Sequence, residues 1–201
     1  MKRFEGKTIG VAMTGSFCTI NDVLPHLQTL VDQGANLLTI LSNHASQLDT
    51  RFNQADEVKA KLKAIAGRDA IQSIVAAEPI GPKKLTDVML VAPCTGNTLA
   101  KIANAITDTP ALMAVKSHLR NQRPVVIALA SNDALAGNAK NLGLLLNAKH
   151  IYFVPFGQDA PEGKSNSMQA KFSAIADTVD AALQGRQLQP LLLGEKECLQ
   201  A

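Results

Sequence analysis

Five short aliphatic runs, each followed by a helical pattern, constrain this chain more than any other feature. They cover residues 7–13, 36–41, 87–92, 125–130 and 150–154. Each is too short for a helix and too evenly apolar for a strand with one wet face. Strands buried on both faces belong to parallel sheets with helices on either side. The alternation predicts an α/β fold, a single-domain doubly wound parallel sheet of about five to six strands, Rossmann-like, with right-handed crossovers.

The segments between the runs fill in the helices. A helical pattern follows Thr14-Gly15-Ser16 to about Gln33, where Gly34 signals a C-terminal cap. Pro25 is tolerated there if Asp22 is the N-cap, and kinks the helix if it begins at Phe17. Residues 42–53 read as a polar segment. Helices are expected over 55–66 and 69–77, before Glu78-Pro79-Ile80-Gly81-Pro82 breaks the pattern. Others are expected at 98–105, 111–121, 139–147 and 167–183. A loop rich in Gly, Pro and Ser precedes the last.

With no repeat or linker, residues 1–201 read as one domain with 185–201 as a C-terminal tail. Leu191, Leu192 and Leu193 in that tail need cover, from their own sheet or from a neighbouring subunit. The second alternative implies a homo-oligomer closed by symmetry.

Composition excludes several functions. Hydrophobic residues make up 46% of the chain against 18% charged, so a sizeable core is available. With six Phe, one Tyr and no Trp, that core must be aliphatic. A formal charge of +3, evenly spread, gives no footprint for nucleic acid. No run approaches the roughly 18 apolar residues of a membrane span, and no signal peptide is read at the N-terminus. Cys18, Cys94 and Cys198 are odd in number and lack CxxC spacing, which points to a reduced, cytoplasmic setting. No His/Cys cluster has metal-ligand spacing, so no metal is expected.

In open parallel sheets ligands bind beyond the carboxyl ends of the strands. There the sequence places Thr14-Gly15-Ser16, Ser42-Asn43-His44, Cys94-Thr95-Gly96-Asn97-Thr98, Ser131-Asn132-Asp133 and Gly157-Gln158-Asp159. Thr14-Gly15-Ser16 reads most simply as a plain strand-to-helix turn with a Ser cap, and also fits a phosphate cradle, where Gly lets the backbone approach an anion. The Cys94–Thr98 loop fits hydrogen bonds to a phosphate or polar ring edge, and equally a helix cap at Thr95 or Asn97. Neither GxGxxG nor GxxxxGK[ST] occurs, which disfavours ordinary dinucleotide and ATP sites. Cys94 reads as a space-filling thiol or a reactive one. His44 is the one histidine at a strand end. His26, His118 and His150 read as surface, packing or structural residues. Asp133 suits either substrate orientation or an Asx turn.

At two of these loops the chain resembles the flavoprotein superfamily of flavin-dependent cysteine decarboxylases. Members show a strand ending in Thr-Gly-Ser and a later Pro-Ala-Ser-Ala-Asn-Thr loop, which here stands as Pro93-Cys94-Thr95-Gly96-Asn97-Thr98. The stretch from Leu99 to Asp108 is similar to the pattern that follows it. The resemblance implies FMN as cofactor, with contacts from Thr14, Gly15, Ser16, Ser42, Thr95, Asn97 and Thr98. Two departures set the chain apart from the decarboxylase branch. No His stands shortly before the third strand, and Ala130-Ser131-Asn132-Asp133 replaces a Pro-x-Met-Asn clamp.

A more extensive resemblance is to the B subunits of dipicolinate synthase from spore-forming bacteria. It runs through Thr50-Arg51-Phe52, Glu78–Lys83, Arg123-Pro124, Asn132–Leu135, Pro155–Asp159 and Asn166-Ser167-Met168. It implies an oxidoreductase subunit that works with an A subunit, on which NAD(P) binds, to convert a small dicarboxylate, dihydrodipicolinate, to dipicolinate in the cytoplasm of a sporulating mother cell. Asn132 and Asp133 are then substrate candidates. A stand-alone FMN-binding flavoprotein, decarboxylase-like or transferase-like, and a non-catalytic scaffold are the alternatives.

Overall fold

The structure, a computed structural model, describes residues 2–194. Five parallel strands carry the fold: β1 (Thr8–Met13), β2 (Asn36–Leu41), β3 (Val88–Cys94), β4 (Val125–Ser131) and β5 (Ile151–Phe153). They lie side by side in the order β2-β1-β3-β4-β5. All of β3 and β4 is buried, as expected of central strands with helices on both faces.

Eight helices accompany them: α1 (Ile20–Asp32), α2 (Asn43–Gln47), α3 (Ala55–Ala66), α4 (Ile74–Ala77), α5 (Gly96–Ala103), α6 (Pro110–Arg120), α7 (Ala139–Leu146) and α8 (Ile175–Leu183). α1 shows how sequence sets a boundary. It buries Ile20, Val23, Leu24, Leu27 and Leu30, one stripe at helical spacing. It then ends at Gly34, whose φ of +96° a side chain would resist. The Ala35 N–H reaches the Leu30 carbonyl at 3.0 Å and the Gly34 N–H reaches Val31 at 2.8 Å, a Schellman closure.

The sheet has seven strands rather than five or six. β6 (Phe156–Gly157) and β7 (Met168–Ala170) pair antiparallel with each other, and β7 pairs with Ala130 and Ser131 beyond the reach of β5. At two and three residues, neither carries a readable alternation. β7 also takes the first turns of the helix expected over 167–183. Tertiary pairing wins there, and α8 begins only at Ile175, after a 3₁₀ turn.

The helix expected over 69–77 shrinks to α4 for a similar reason. Ile71 is drawn against β2, donating its N–H to Thr39 and accepting from Leu41, both at 2.9 Å. Neither reading of Pro25 holds. A 3₁₀ turn at Phe17–Thr19 precedes α1, so Pro25 is its sixth residue. The polar segment after β2 contains α2, started by the Ser42 hydroxyl.

The described part of the tail folds back on its own sheet. Leu191 accepts from the Phe156 N–H and Leu193 donates to the Phe156 carbonyl, both at 3.0 Å, while Leu192 stays 64% exposed. Residues 195–201, Cys198 among them, lie outside the described residues.

Candidate functional site

The carboxyl ends of β1, β2 and β3 are tied together before any ligand is considered. The Thr14 hydroxyl donates to the Pro93 carbonyl at 2.7 Å and accepts the Thr95 N–H at 3.1 Å. The Ser42 N–H donates to the Met13 carbonyl at 3.0 Å. Side by side, these ends enclose an open cleft of about 370 Å³.

One wall is Gly15. The second is Ser42-Asn43-His44, and the third is Thr95, Asn97, Thr98 and Lys101 on the loop and first turns of α5. Asp108, Thr109 and Leu112, at the start of α6, close the far end. An ideal Cβ on Gly15 would lie 3.3 Å from His44 Cβ and 3.4 Å from Phe17 Cζ, so a side chain there would crowd His44. Ser42 caps α2 through the Ala45 N–H at 3.4 Å. The Asn43 and His44 amides stand ahead of that bond, in the part of a helix without intrahelical partners.

Thr95, not Asn97, is the cap of α5. Its hydroxyl accepts the Thr98 N–H at 3.2 Å and donates to the Thr98 hydroxyl at 3.0 Å. That identifies which of the two candidate caps starts the helix. Asn97 is exposed, is not the cap, and lines the cleft. Lys101 follows Asn97 and Thr98 at i+4 and i+3, on the same face, and pairs with Asp108 at 2.6 Å.

Of the residues singled out from sequence, Gly15, Ser42, Thr95, Asn97 and Thr98 come together in the cleft, with His44. Thr14 and Ser16 do not line it. Thr14 is buried, with its hydroxyl bonded to Pro93 and Thr95. The Ser16 hydroxyl accepts from Thr19 at 2.9 Å.

Asn132 and Asp133 are also absent from the cleft. The Asn132 amide oxygen accepts from Ser167 at 3.4 Å, and both Asp133 carboxylate oxygens are bonded within the chain, to Ser131 and Asn138. They lie on the loop after β4, apart from the residues that line the cleft. Lys101, Asp108 and Thr109 line the cleft although the strand-end rule does not reach them. The helical spacing from Asn97 to Lys101 is the one signal in the sequence that could have found Lys101.

Cys94 is fully buried, and desolvation pushes its thiol well above the ordinary range, so it stays protonated and fills space. His118 is likewise a core residue. Its Nδ1 lies 3.2 Å from the Thr86 hydroxyl, and burial, helped by the Arg123 charge, lowers its pKa to about 4. Among the described residues no cluster of His, Cys, Asp and Glu could hold a metal, and no helix is long and apolar enough to cross a membrane.

A doubly wound sheet with a hydroxyl- and amide-lined cleft at its strand ends places the chain among α/β proteins of Rossmann-like architecture. The chain belongs to the Flavoprotein family, whose model matches residues 2–184. It is 46% identical over 193 residues to the dipicolinate synthase B subunit of Bacillus subtilis (strain 168), covering 96% of each chain. The crystal structure of the dipicolinate synthase B subunit from Bacillus halodurans C superposes with a TM-score of 0.88 at 44% identity, over 95% of this chain and 98% of that one. The FMN-dependent cysteine decarboxylase SpaF shares the fold, with a TM-score of 0.64 at 19% identity, over 90% of this chain and 97% of that one.

The cleft fits a flavin mononucleotide in its chemistry. One end offers a side-chain-free glycine, a serine and helix-start amides for a phosphate. The other offers the Asn97 amide, which both donates and accepts, and the Thr98 hydroxyl for a ring edge.

Proposed function

We propose that the chain is the FMN-binding B subunit of a dipicolinate synthase. In this reading it acts with an A subunit that holds NAD(P), in the mother-cell cytoplasm during sporulation, and self-associates as part of the assembly. Dihydrodipicolinate becomes the aromatic dipicolinate by losing one hydride, to an acceptor, and one proton, to a base. Bound flavin supplies a two-electron acceptor. The chain's own residues do the holding. Gly15, Ser42 and the Asn43 and His44 amides take the phosphate, Asn97 and Thr98 take the polar ring edge, and Lys101, paired with Asp108, is the ammonium group that lines the cleft.

The cleft at the ends of β1, β2 and β3 carries this reading, in a chain similar over nearly its full length to dipicolinate synthase B subunits. Its test is to purify the chain alone and with an A subunit, record the visible absorbance, measure mass in solution, and follow dipicolinate formation. A yellow, self-associated protein that makes dipicolinate only with its partner is the expected result. A colourless chain that still supports full activity would remove the flavin from the account. Dipicolinate made without a partner would remove the A subunit.

A further inference from the structure

α5 has a second face. Gly96, Ala100 and Asn104 follow one another at i, i+4 spacing, in a row beside that of Asn97 and Lys101. Along that face runs a chain of polar side chains. The Ser131 hydroxyl donates to Asp133 Oδ1 at 2.6 Å, and Asn138 Nδ2 donates to Asp133 Oδ2 at 2.7 Å. Asn141 Nδ2 donates to Asn138 Oδ1 at 2.9 Å. Asn104 Nδ2 then donates to Asn141 Oδ1 at 3.2 Å and to the Ala100 carbonyl at 2.7 Å. The chain starts at the end of β4, passes through α7, and reaches the last turn of α5.

At its other end it touches the first turn of the same helix. A Cβ on Gly96 would lie 2.5 Å from Ser131 Oγ, 2.6 Å from Asp133 Oδ1 and 2.7 Å from Asn138 Nδ2. No other residue leaves room for that contact. Ser131, Asn138 and Asn141 are all buried. Leu side chains between α5 and α7 would give at least as much burial without desolvating three polar groups. What a satisfied polar chain adds is one fixed geometry, since its members lose their partners when the helix rotates or slides.

We infer that Asp133 is a positioning residue. Through Ser131, Asn138 and Gly96 it sets the rotation and depth of α5, and so the placement of Asn97, Thr98 and Lys101 in the cleft. The inference rests on reading that cleft as the flavin site, and extends it to a residue outside the cleft. Asp133→Asn keeps the shape but sets an NH₂ against the Ser131 hydroxyl or the Asn138 amide.

The test compares this variant with the parent in two measurements: amide hydrogen exchange across the helices without flavin, and the Kd for FMN. Faster exchange confined to residues 99–103, by about tenfold, is expected, with α1 and α8 unchanged and FMN binding weakened by about tenfold. Asn104→Ala, which cuts the far end of the chain, should move both in the same direction. Exchange in α5 unchanged, or raised equally in every helix, would overturn the inference, as would FMN binding at parent strength. If the parent itself binds no FMN, the flavin reading fails, and the exchange measurement alone decides the role of Asp133.

Discussion

Gln187 stands where a further strand would stand beside Phe153. Its Nε2 donates to the Phe153 carbonyl at 2.7 Å, and its Oε1 accepts the Phe153 N–H at 2.8 Å. Alternate residues of a parallel strand point their backbone groups to opposite neighbours. Those of Phe153 face away from β4, toward an edge that would otherwise be open. One side-chain amide satisfies both.

Replacing Gln187 with Ala should therefore cost about 1–3 kcal/mol, because Phe153 is buried and both of its backbone groups lose their partner. Gln187→Glu should fail similarly, since a carboxylate accepts the N–H but cannot donate to the carbonyl. Urea unfolding of the two variants measures this. Parent-like midpoints in both would show that the edge needs no cap.

Gly15→Val should abolish FMN binding while leaving the fold intact. A bare Cβ already lies 3.3 Å from His44 Cβ, and Val adds two methyls at a position that lines the cleft. Fluorescence titration with FMN, beside a thermal melt, gives the answer. Parent-like affinity in a folded variant would move the phosphate elsewhere.

Thr95 and Asn97 should separate stability from binding. Thr95→Ala loses the α5 cap and should cost about 1 kcal/mol. Asn97→Ala removes no cap and should leave the Tm within a degree or two of the parent, yet weaken FMN by about tenfold, the weight of one good hydrogen bond. A fall in Tm with unchanged FMN affinity for Asn97→Ala would return it to a structural role.

His118 should make stability depend on pH in one window. Its folded pKa, about 4, lies below the ordinary 6.5, so the unfolded chain binds the proton more readily. The contribution is fully present above pH 6.5 and is lost as pH falls from 6.5 through 4, by about 3 kcal/mol in total. Urea unfolding between pH 7 and 4, for the parent and for His118→Asn, should show this slope in the parent and its loss in the variant. Equal slopes would place the acid sensitivity on other groups.

How much of this is legible in the sequence follows from where the information lies. β2 and α3 stand as expected, residue for residue, because each carries its own period and boundary signals. α4, β6 and β7 depend on what they pair with. Ile71 and Met168 are apolar residues in polar surroundings, and only the docked sheet edge shows why they are extended. The site divides in the same way. Gly15, Ser42, Thr95, Asn97 and Thr98 follow from the rule that strand ends bind ligands. Asp108 reaches the cleft through its pairing with Lys101. Thr14 follows from the same rule, and only the packed β3 loop shows what its hydroxyl bonds within the chain.

That buried Thr14 hydroxyl has a mechanical consequence. It joins the first loop to the third through Pro93 and Thr95, so the two ends of the cleft lack independent freedom. In the proposed flavin site, a shift at the start of α5 would be felt at the Gly15 loop. The spacing between phosphate and ring would then behave as the length of a ruler held by one buried hydroxyl.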